Sequence, residues 1–580
     1  IVSITVIPSL SARILRTAHQ DDEDKGFHNL WGGVDRASAL SHRVTDTVSW
    51  INATTKRRVA VVVGLTTVSI GLSFLIMPKA EYLPVGNNNF LFGILLPPPG
   101  YTLDEVSELR KIYEEGLRPL WESEPGSPEA LAQPGGGVQN FFFVSLHDRV
   151  FMGARARDPL RVRELIPEFQ RLAFSSPGVI AVVNQASIFQ GGFDEGRNID
   201  IDITGPDLGR LIELGGEMFD KAFQVLPGAQ GRPIPGLDLD NPEVQVITHR
   251  RRAAEVGLSN RELGFAVSAL VDGAKASDYQ FEGREIDLRV MTEQSYQHRT
   301  HLLELLPIAT PDGRLVTLGS VAEVVEVNGP VQINHRERER SITLRITPDE
   351  QMPLETAMEA VETQIIAPMQ EEGKLGGLYR VALSGSADKL SQTGRSLRWN
   401  FLLAIVITYL LMAALFESFL YPFVIMFSVP LAALGGFLGL KVVNLFTYQA
   451  LDVLTMLGFI ILVGTVVNNA ILIVHQSLNH MREEGLEPRL AIIESVKTRI
   501  RPIFMSVSTS VFGMLPLILF PGAGSELYRG LGSVVLGGLV LSTVFTLFLV
   551  PALFSLVMDA RAYFAERVVQ VLKPAQHTSD

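Results

Sequence analysis

Residues 463–474 read VGTVVNNAILIV, a run with the composition of a membrane-crossing helix except for two adjacent asparagines, Asn468 and Asn469. A primary amide at bilayer depth costs free energy unless a partner hydrogen-bonds it, so each asparagine asks for a neighbour. Successive side chains leave a helix about 100° apart, and the two amides cannot both face one neighbour squarely. Gly464, one turn before Asn468, permits close approach of another helix. One reading makes the amides interhelical packing bonds worth about 0.6–2 kcal/mol each. The other places them at a polar site that handles ions.

Five more runs have membrane-crossing length: 59–77, 399–416, 421–440, 502–521 and 529–556, with the asparagine run extending over 450–475. Six spans, 47% hydrophobic residues and a positive mean hydropathy describe a membrane protein. Lys56, Arg57 and Arg58 precede the first span. Arg482, Arg489, Lys497, Arg499 and Arg501 fall between the fourth and fifth, and Arg561 and Arg567 follow the last. The positive-inside rule makes these ends cytoplasmic, together with the link 417–420 and a loop over 475–501. The polar stretch from 79 to 396 then lies on the outer side. A net charge of −12 excludes a general nucleic-acid surface, and the lack of cysteine excludes disulfides and thiolate chemistry. The chain opens on IVSITVIPSLSARIL, with no charged region typical of a signal peptide. It reads as a fragment that begins inside a helix, and this opening echoes LFLVPALFSLVM (547–558).

The polar stretch alternates strand and helix patterns. NFLFGILL, TLDEVSELRKIYEEGLRPLW, NFFFVSLHD, RVRELIPEFQRLA and GVIAVVNQ form one series, with Thr102 and Glu105 spaced as a capping box. NIDIDITG, LGRLIELGGEMFDKAFQVL, SITLRITPD, LETAMEAVETQIIAPM and YRVALSGS form a second. Two such series predict two ferredoxin-like βαβ units. Residues 236–329, which include the hairpin pattern YQFEGREIDLRV, predict a third unit inserted into the second.

Several stretches together resemble the resistance–nodulation–division (RND) superfamily of efflux permeases: AALFESFLYPFVIMFSVPLAALGG (413–436), GTVVNNAILIV (464–474), RIRPIFMSVSTSVFGMLPLIL (499–519), GAGSELYRGLGSVVLGGL (522–539) and VPALF (550–554). The resemblance implies a polytopic α-helical membrane protein with a large α+β periplasmic insert, corresponding to the C-terminal half of a twelve-span permease. Its implied plan is the end of a sixth span (1–14), a cytoplasmic linker (15–58) and a seventh span (59–77). Two porter subdomains follow (79–195, then 196–235 with 330–396), a docking subdomain (236–329) inserted in the second, the last five spans (399–558) and a cytoplasmic tail (559–580). It further implies a homotrimer in the bacterial inner membrane, working with a periplasmic adaptor and an outer-membrane channel. Export of amphiphilic compounds would be driven by the proton-motive force, with no cofactor and no enzymatic step.

The resemblance also implies roles for residues. Asn468 stands where well-known drug pumps carry a lysine that answers two aspartates of the absent fourth span, and Asn469 stands at the following asparagine. An asparagine can donate to an ionised carboxylate or accept from a protonated one, but it brings no countercharge. Ser506 matches a hydroxyl residue near that relay, with Ser508, Thr509 and Ser510 following. Against this stands the habit of membrane serines and threonines of bonding their own backbone. Asp452 sits near the outer edge, so the titrating acid is expected elsewhere. Phe141 and Phe143 share one strand face, and Phe143 matches a pocket-lining phenylalanine. Gly135, Gly136 and Gly137 fall at a flexible loop between pockets, and their glycines suit mobility.

A heavy-metal exporter is the alternative within the superfamily, judged against scattered methionines (152, 218, 291, 352, 358, 369) and histidines (147, 249, 298, 301, 335). His249 and Arg250–Arg252 read as a basic surface run. A non-transporting anchor presenting a periplasmic binding or sensory ectodomain is the alternative of another class. No nucleotide-binding loop, serine triad or zinc spacing appears, so ATP-driven transport and hydrolysis lack support.

Overall fold

The computed structural model describes residues 33–84, 86, 88–146, 149–187, 197–291, 300–520 and 525–572. The expected sixth-span end, residues 15–32 of the cytoplasmic linker, His147 and His298 lie outside these. The chain divides into two compact units. One comprises residues 1–78, 394–521 and 527–580, and the other 79–393 with 522–526.

The first unit is helical. Helix α1 (Gly33–Asn52) precedes α2 (Thr55–Ile76). Later in the chain come α8 (Ser386–Phe416), α9 (Leu420–Val443), α10 (Val453–Arg482), α11 (Pro488–Leu519) and α12 (Ser525–Leu572). Among the described residues, six helices are long and apolar enough to cross a membrane. They outrun the six apolar runs of the sequence: α8 starts at Ser386, and the stretch 475–501, expected as a loop, is helical except for residues 483–487. Hydropathy measures contact with lipid, whereas the helix is held by backbone bonds that continue into water.

Two features hold this unit together. The first is glycine-mediated crossing of α9 and α12. A Cβ at Gly439 would lie 2.3 Å from the Ser533 carbonyl oxygen, and one at Gly537 would lie 2.4 Å from that of Gly435. Lipid tails are as apolar as leucine, so such close backbone approach supplies the dispersion contact that burial supplies in water. The second is Arg58, fully buried at the start of α2. It donates to Ser555 Oγ (2.7 Å), Asp559 Oδ2 (2.7 Å) and Thr55 Oγ1 (3.1 Å), and Arg489 reaches the same carboxylate at 3.1 Å.

The second unit contains two antiparallel sheets of the same design. The first is β1 (Leu91–Leu96), α3 (Leu103–Glu122), β2 (Val138–Ser145), β3 (Val150–Ala156), α4 (Ile166–Phe174) and β4 (Ile180–Gln185), in strand order β2-β3-β1-β4. Helix α3 begins at the expected capping box: Thr102 Oγ1 accepts from the Glu105 N–H, and Glu105 accepts from the Thr102 N–H. Its buried residues Val106, Leu109, Tyr113 and Leu117 recur at helical spacing and cover one sheet face.

The second sheet starts with β5 (Ile199–Gly205), α5 (Leu208–Val225) and β6 (Gln230–Ile234). It finishes with β13 (Asn334–Arg336), β14 (Glu339–Thr347), the helical stretch led by α7 (Leu354–Val361) and β15 (Arg380–Gly385). Its strand order is β13-β14-β5-β15, with β6 also on β14. Between β6 and β13 come β7 (Asn241–Thr248), α6 (Asn260–Val271), β8 (Ala274–Phe281), β9 (Arg284–Val290), β10 (Pro307–Ala309), β11 (Leu315–Thr317) and β12 (Ala322–Gly329). These strands form three two-stranded pairs: β7 with β12, β8 with β9, and β10 with β11. The hairpin pattern noted in the sequence is β8–β9.

The helix crossing yields a direct test. Gly439→Leu should cost about 1–3 kcal/mol or more, because backbone sits where the side chain would go. Thermal unfolding of the detergent-solubilised protein, followed by size-exclusion chromatography, should show an early loss of the monodisperse peak. Gly64→Leu, with nothing within 4 Å, should leave that peak in place.

Candidate functional site

The adjacent amides of α10 go separate ways. Asn469 is buried and donates through Nδ2 to Thr543 Oγ1 at 3.1 Å, and that hydroxyl donates to the Leu539 carbonyl at 2.6 Å. It links α10 to α12 and is committed there. Asn468 is exposed on another face of α10, as are Gly464 and Thr465. A Cβ at Gly464 would have no neighbour within 4 Å, so among the described residues no helix makes the close approach expected there.

On α11, Ser506, Ser508, Thr509 and Ser510 are exposed. Thr509 and Ser510 donate to the Met505 and Ser506 carbonyls at 2.9 and 3.1 Å, the backbone-bonding habit weighed against a relay role. No hydrogen bond among the described residues joins Ser506 to Asn468. Asp452 is buried at the start of α10, where it caps the helix by accepting from the Thr455 N–H at 2.7 Å and also accepts from Gln449 Nε2 at 3.2 Å.

In the first sheet, Phe141 and Phe143 share a face, and α3 and α4 cover it. Phe141 stacks on Trp121 with ring centroids 6.0 Å apart and lies 6.0 Å from Phe169. Phe143 lies 6.0 Å from Tyr113. Both pack against the core as half-buried rings, so Phe143 stands on the face that the helices cover. Phe142 takes the opposite face. It stacks on Phe90 with centroids 6.1 Å apart and lies across Gly153, where a Cβ would come 2.4 Å from its ring. Strand register sets Phe92 and Phe142 each opposite Gly153, and Ile94 and Val144 each opposite Phe151. The helix-free face of this sheet is therefore aromatic and aliphatic, with Phe90, Phe92, Phe142 and Phe151 half-buried and Val144 and Ile180 exposed.

The second sheet solves the same problem oppositely. Ile199, Ile201 and Ile203 face its helices, and Asp200 and Asp202 face away. Asp200 accepts from Arg345 at 2.8 and 2.7 Å. Asp202 accepts from Thr343 (2.6 Å) and Ser384 (2.5 Å) and pairs with Arg336. Its helix-free face is a lattice of charge-assisted bonds.

The triple glycine forms a tight, bonded turn. Gly135, Gly136 and Gly137 all have positive φ (65°, 65° and 92°), which favours glycine at each. The Asp158 and Arg157 N–H groups donate to the Gly135 and Gly137 carbonyls, and the Gly135 N–H donates to Glu164 Oε2 at 3.1 Å. Arg161 anchors the preceding segment through the Leu131 and Gln133 carbonyls and holds Glu164 at 2.7 Å. The glycines form a hydrogen-bonded turn. Hydrogen bonding from Arg161 holds the Glu164 carboxyl below its usual range. The Gly135 N–H adds to this, and partial desolvation opposes it.

Between the two sheets lies a polar cleft of about 370 Å³ that the sequence did not announce, lined among others by Gln170, Asn184, Gln185, Gln230 and Arg197. Gln230 accepts from the Val183 N–H (2.9 Å) and donates to the Val183 carbonyl (3.2 Å), so its amide pairs with the edge of β4 as a strand would. Arg197 and Glu81 form a nearly buried pair at 2.7 Å, and Glu81 also accepts from the Leu354 N–H. No spacing in the sequence marks these residues, because the two sheets meet only on folding. Among the described residues no three His, Cys, Asp or Glu side chains gather as a metal site. Met152, Met218 and Met369 are buried in the two sheet cores.

The sequence pattern of the AcrB/AcrD/AcrF family matches residues 1–558. The Multidrug resistance protein MdtC of Klebsiella pneumoniae subsp. pneumoniae is 23% identical over 95% of this chain and 52% of its own length. That of Erwinia amylovora is 25% identical over 96% and 52%. Two crystal forms of a heavy metal efflux pump share the fold, with TM-scores of 0.70 and 0.71 at 20% and 19% identity, over 91% of this chain and 53% and 52% of theirs. The chain spans about half the length of the curated relatives it matches.

Two outcomes follow from the site's geometry. Asn469→Leu should lower thermal stability by about 0.6–2 kcal/mol through the lost interhelical bond, while Asn468→Leu should leave the melting temperature unchanged. The Glu164 contribution is present above the unfolded carboxyl range, about pH 4.3, and lost as pH falls through the lower folded value. Hydrogen exchange at Gly135 should therefore accelerate only below that range, and Glu164→Gln should remove the pH dependence.

Proposed function

Since the chain belongs to the AcrB/AcrD/AcrF family of the RND superfamily, we propose that it does the work of the second half of an efflux permease for amphiphilic or hydrophobic compounds. The observation that carries this reading is the aromatic helix-free face of the first sheet. A sheet of this design does not need such a face, since the second sheet covers its own with Asp200, Asp202, Arg345 and Arg336. Half-buried phenylalanines on a rigid sheet suit rings and alkyl groups, each ring offering up to a few kcal/mol of apolar contact. The names of the MdtC relatives agree with this substrate class. The heavy-metal relatives contribute the fold, and a soft-ligand cluster is the feature a metal reading would rest on.

In this reading the two sheets are ferredoxin-like porter subdomains in the periplasm, and residues 236–329 form a docking subdomain between β6 and β13. The basic residues at Lys56–Arg58 and near Arg489 mark the cytoplasmic side of an inner-membrane bundle. Transport runs on the proton-motive force. Asn468, exposed on α10, offers its amide to carboxylates supplied by the other half, and Ser506 stands near the same relay. Asn469 acts behind it by fixing α10 to α12 through Thr543. The assembly is a homotrimer with a periplasmic adaptor and an outer-membrane channel.

The test uses the full-length pump in a pump-deficient strain, with an amphiphilic dye and zinc and copper challenges. Phe142→Ala should reduce dye efflux about tenfold, the equivalent of roughly 1.4 kcal/mol of binding, at unchanged protein abundance. Asn468→Leu should abolish efflux of every substrate at unchanged abundance. Dye efflux indifferent to Phe142→Ala, with metal tolerance dependent on the pump, overturns the amphiphile reading. Absence of any export points to an anchor.

A further inference from the structure

The three cations at the start of α2 fare differently. Arg58 is buried on Ser555 and Asp559. Lys56 is exposed, and Arg57 lies over the Trp50 ring with its guanidinium carbon 4.2 Å from the ring centroid, while Trp50 itself is 56% exposed. At helical spacing Lys56, Ala60 and Gly64 follow one another along one stripe of α2, and Arg57, Val61 and Leu65 along the next.

The four lower residues of those stripes form one wall of a trough of about 410 Å³, closed by Ile51 of α1 and by Phe545 and Phe548 of α12. Among the described residues Thr47 is its one polar lining residue. The trough is open because Ala60 and Gly64 are small, and a Cβ at Gly64 would touch nothing within 4 Å. An apolar trough at membrane depth is filled by hydrocarbon, since leaving it empty forfeits dispersion contacts along its whole lining.

What sits above the trough selects the occupant. Among the described residues neither Lys56 nor Arg57 meets a carboxylate, and the first turn of α2 has no acidic residue and no side-chain cap from Thr54. Its backbone N–H dipoles therefore add to the two cations. An exposed tryptophan beside them is placed as at a membrane–water interface. We propose that this trough between α1, α2 and α12 binds one anionic phospholipid, with an acyl chain along Ala60 and Gly64 and the phosphate held by Lys56 and Arg57. The site requires only that α2 crosses a membrane with its basic end at the surface.

The test is native mass spectrometry of the delipidated full-length pump titrated with palmitoyl-oleoyl phosphatidylglycerol or with phosphatidylcholine of the same chains. The wild type should take one phosphatidylglycerol per protomer in preference to phosphatidylcholine. Lys56→Gln with Arg57→Gln should erase that preference, up to about thirtyfold for two interfacial cations. Gly64→Leu should displace both lipids while the cations remain. Equal uptake of the two lipids by the wild type, or a preference that survives the double glutamine variant, overturns the proposal. Both variants leave dye efflux as an independent readout, so failure of the lipid site does not imply failure of the transport reading.

Discussion

Polar groups in hydrocarbon must be satisfied from within the protein, and much of the helical unit follows from that constraint. Asn469 meets it through Thr543, whose own hydroxyl proton goes back to a carbonyl of its helix. Arg58 meets it at its two terminal nitrogens, which donate to three side-chain acceptors, one of them the Asp559 carboxylate that Arg489 shares. Each solution draws in another helix, so satisfying one amide or guanidinium also fixes how α2, α10 and α11 pack on α12. The glycine crossing of α9 and α12 completes the set by bringing backbones close where apolar side chains gain nothing by leaving lipid. Asn468 stands apart because this chain leaves it outside that internal economy.

The sheet-containing unit obeys the ordinary hydrophobic effect, and there the two sheets diverge. Both bury a face under helices, with Leu91, Val150 and Met152 in one and Ile199, Ile201 and Ile203 in the other. The second spends its remaining face on ion pairs across three strands, which rigidify it. The first leaves aromatic rings over Gly153, a surface that lacks any need from within the sheet. Gln230 and the Glu81–Arg197 pair sit where the two meet, and both are polar, a composition suited to surfaces that reposition against one another.

Much of this was legible in the sequence. The apolar runs located the six long apolar helices found among the described residues, because lipid contact demands length and composition together. Thr102 and Glu105 announced the start of α3, since a capping box is local. The strand and helix series of 79–396 was visible because the alternation of Ile199, Ile201 and Ile203 with aspartates is itself local. Helix ends were not legible: α8 and α11 run past their apolar stretches because backbone bonding does not stop at the membrane surface. The bonding of the triple glycine was not legible for a related reason. Glycine reports tolerance of unusual backbone, and only Arg161 and Glu164, some 30 residues on, show that here it builds a tight turn.

The sequence by itself determined periodicities: which residues lie on the same side of a helix or strand, how long a helix lies in lipid, and that Asn468 and Asn469 must diverge. The tertiary structure decided which of two sides is covered. It put Phe141 and Phe143 under α3 and α4 and left Phe142 outside, and it gave Asn469 to Thr543 while leaving Asn468 uncovered. The physical reason is that periodicity is a property of one element's backbone geometry. Coverage depends on where distant helices pack, and no local spacing encodes that.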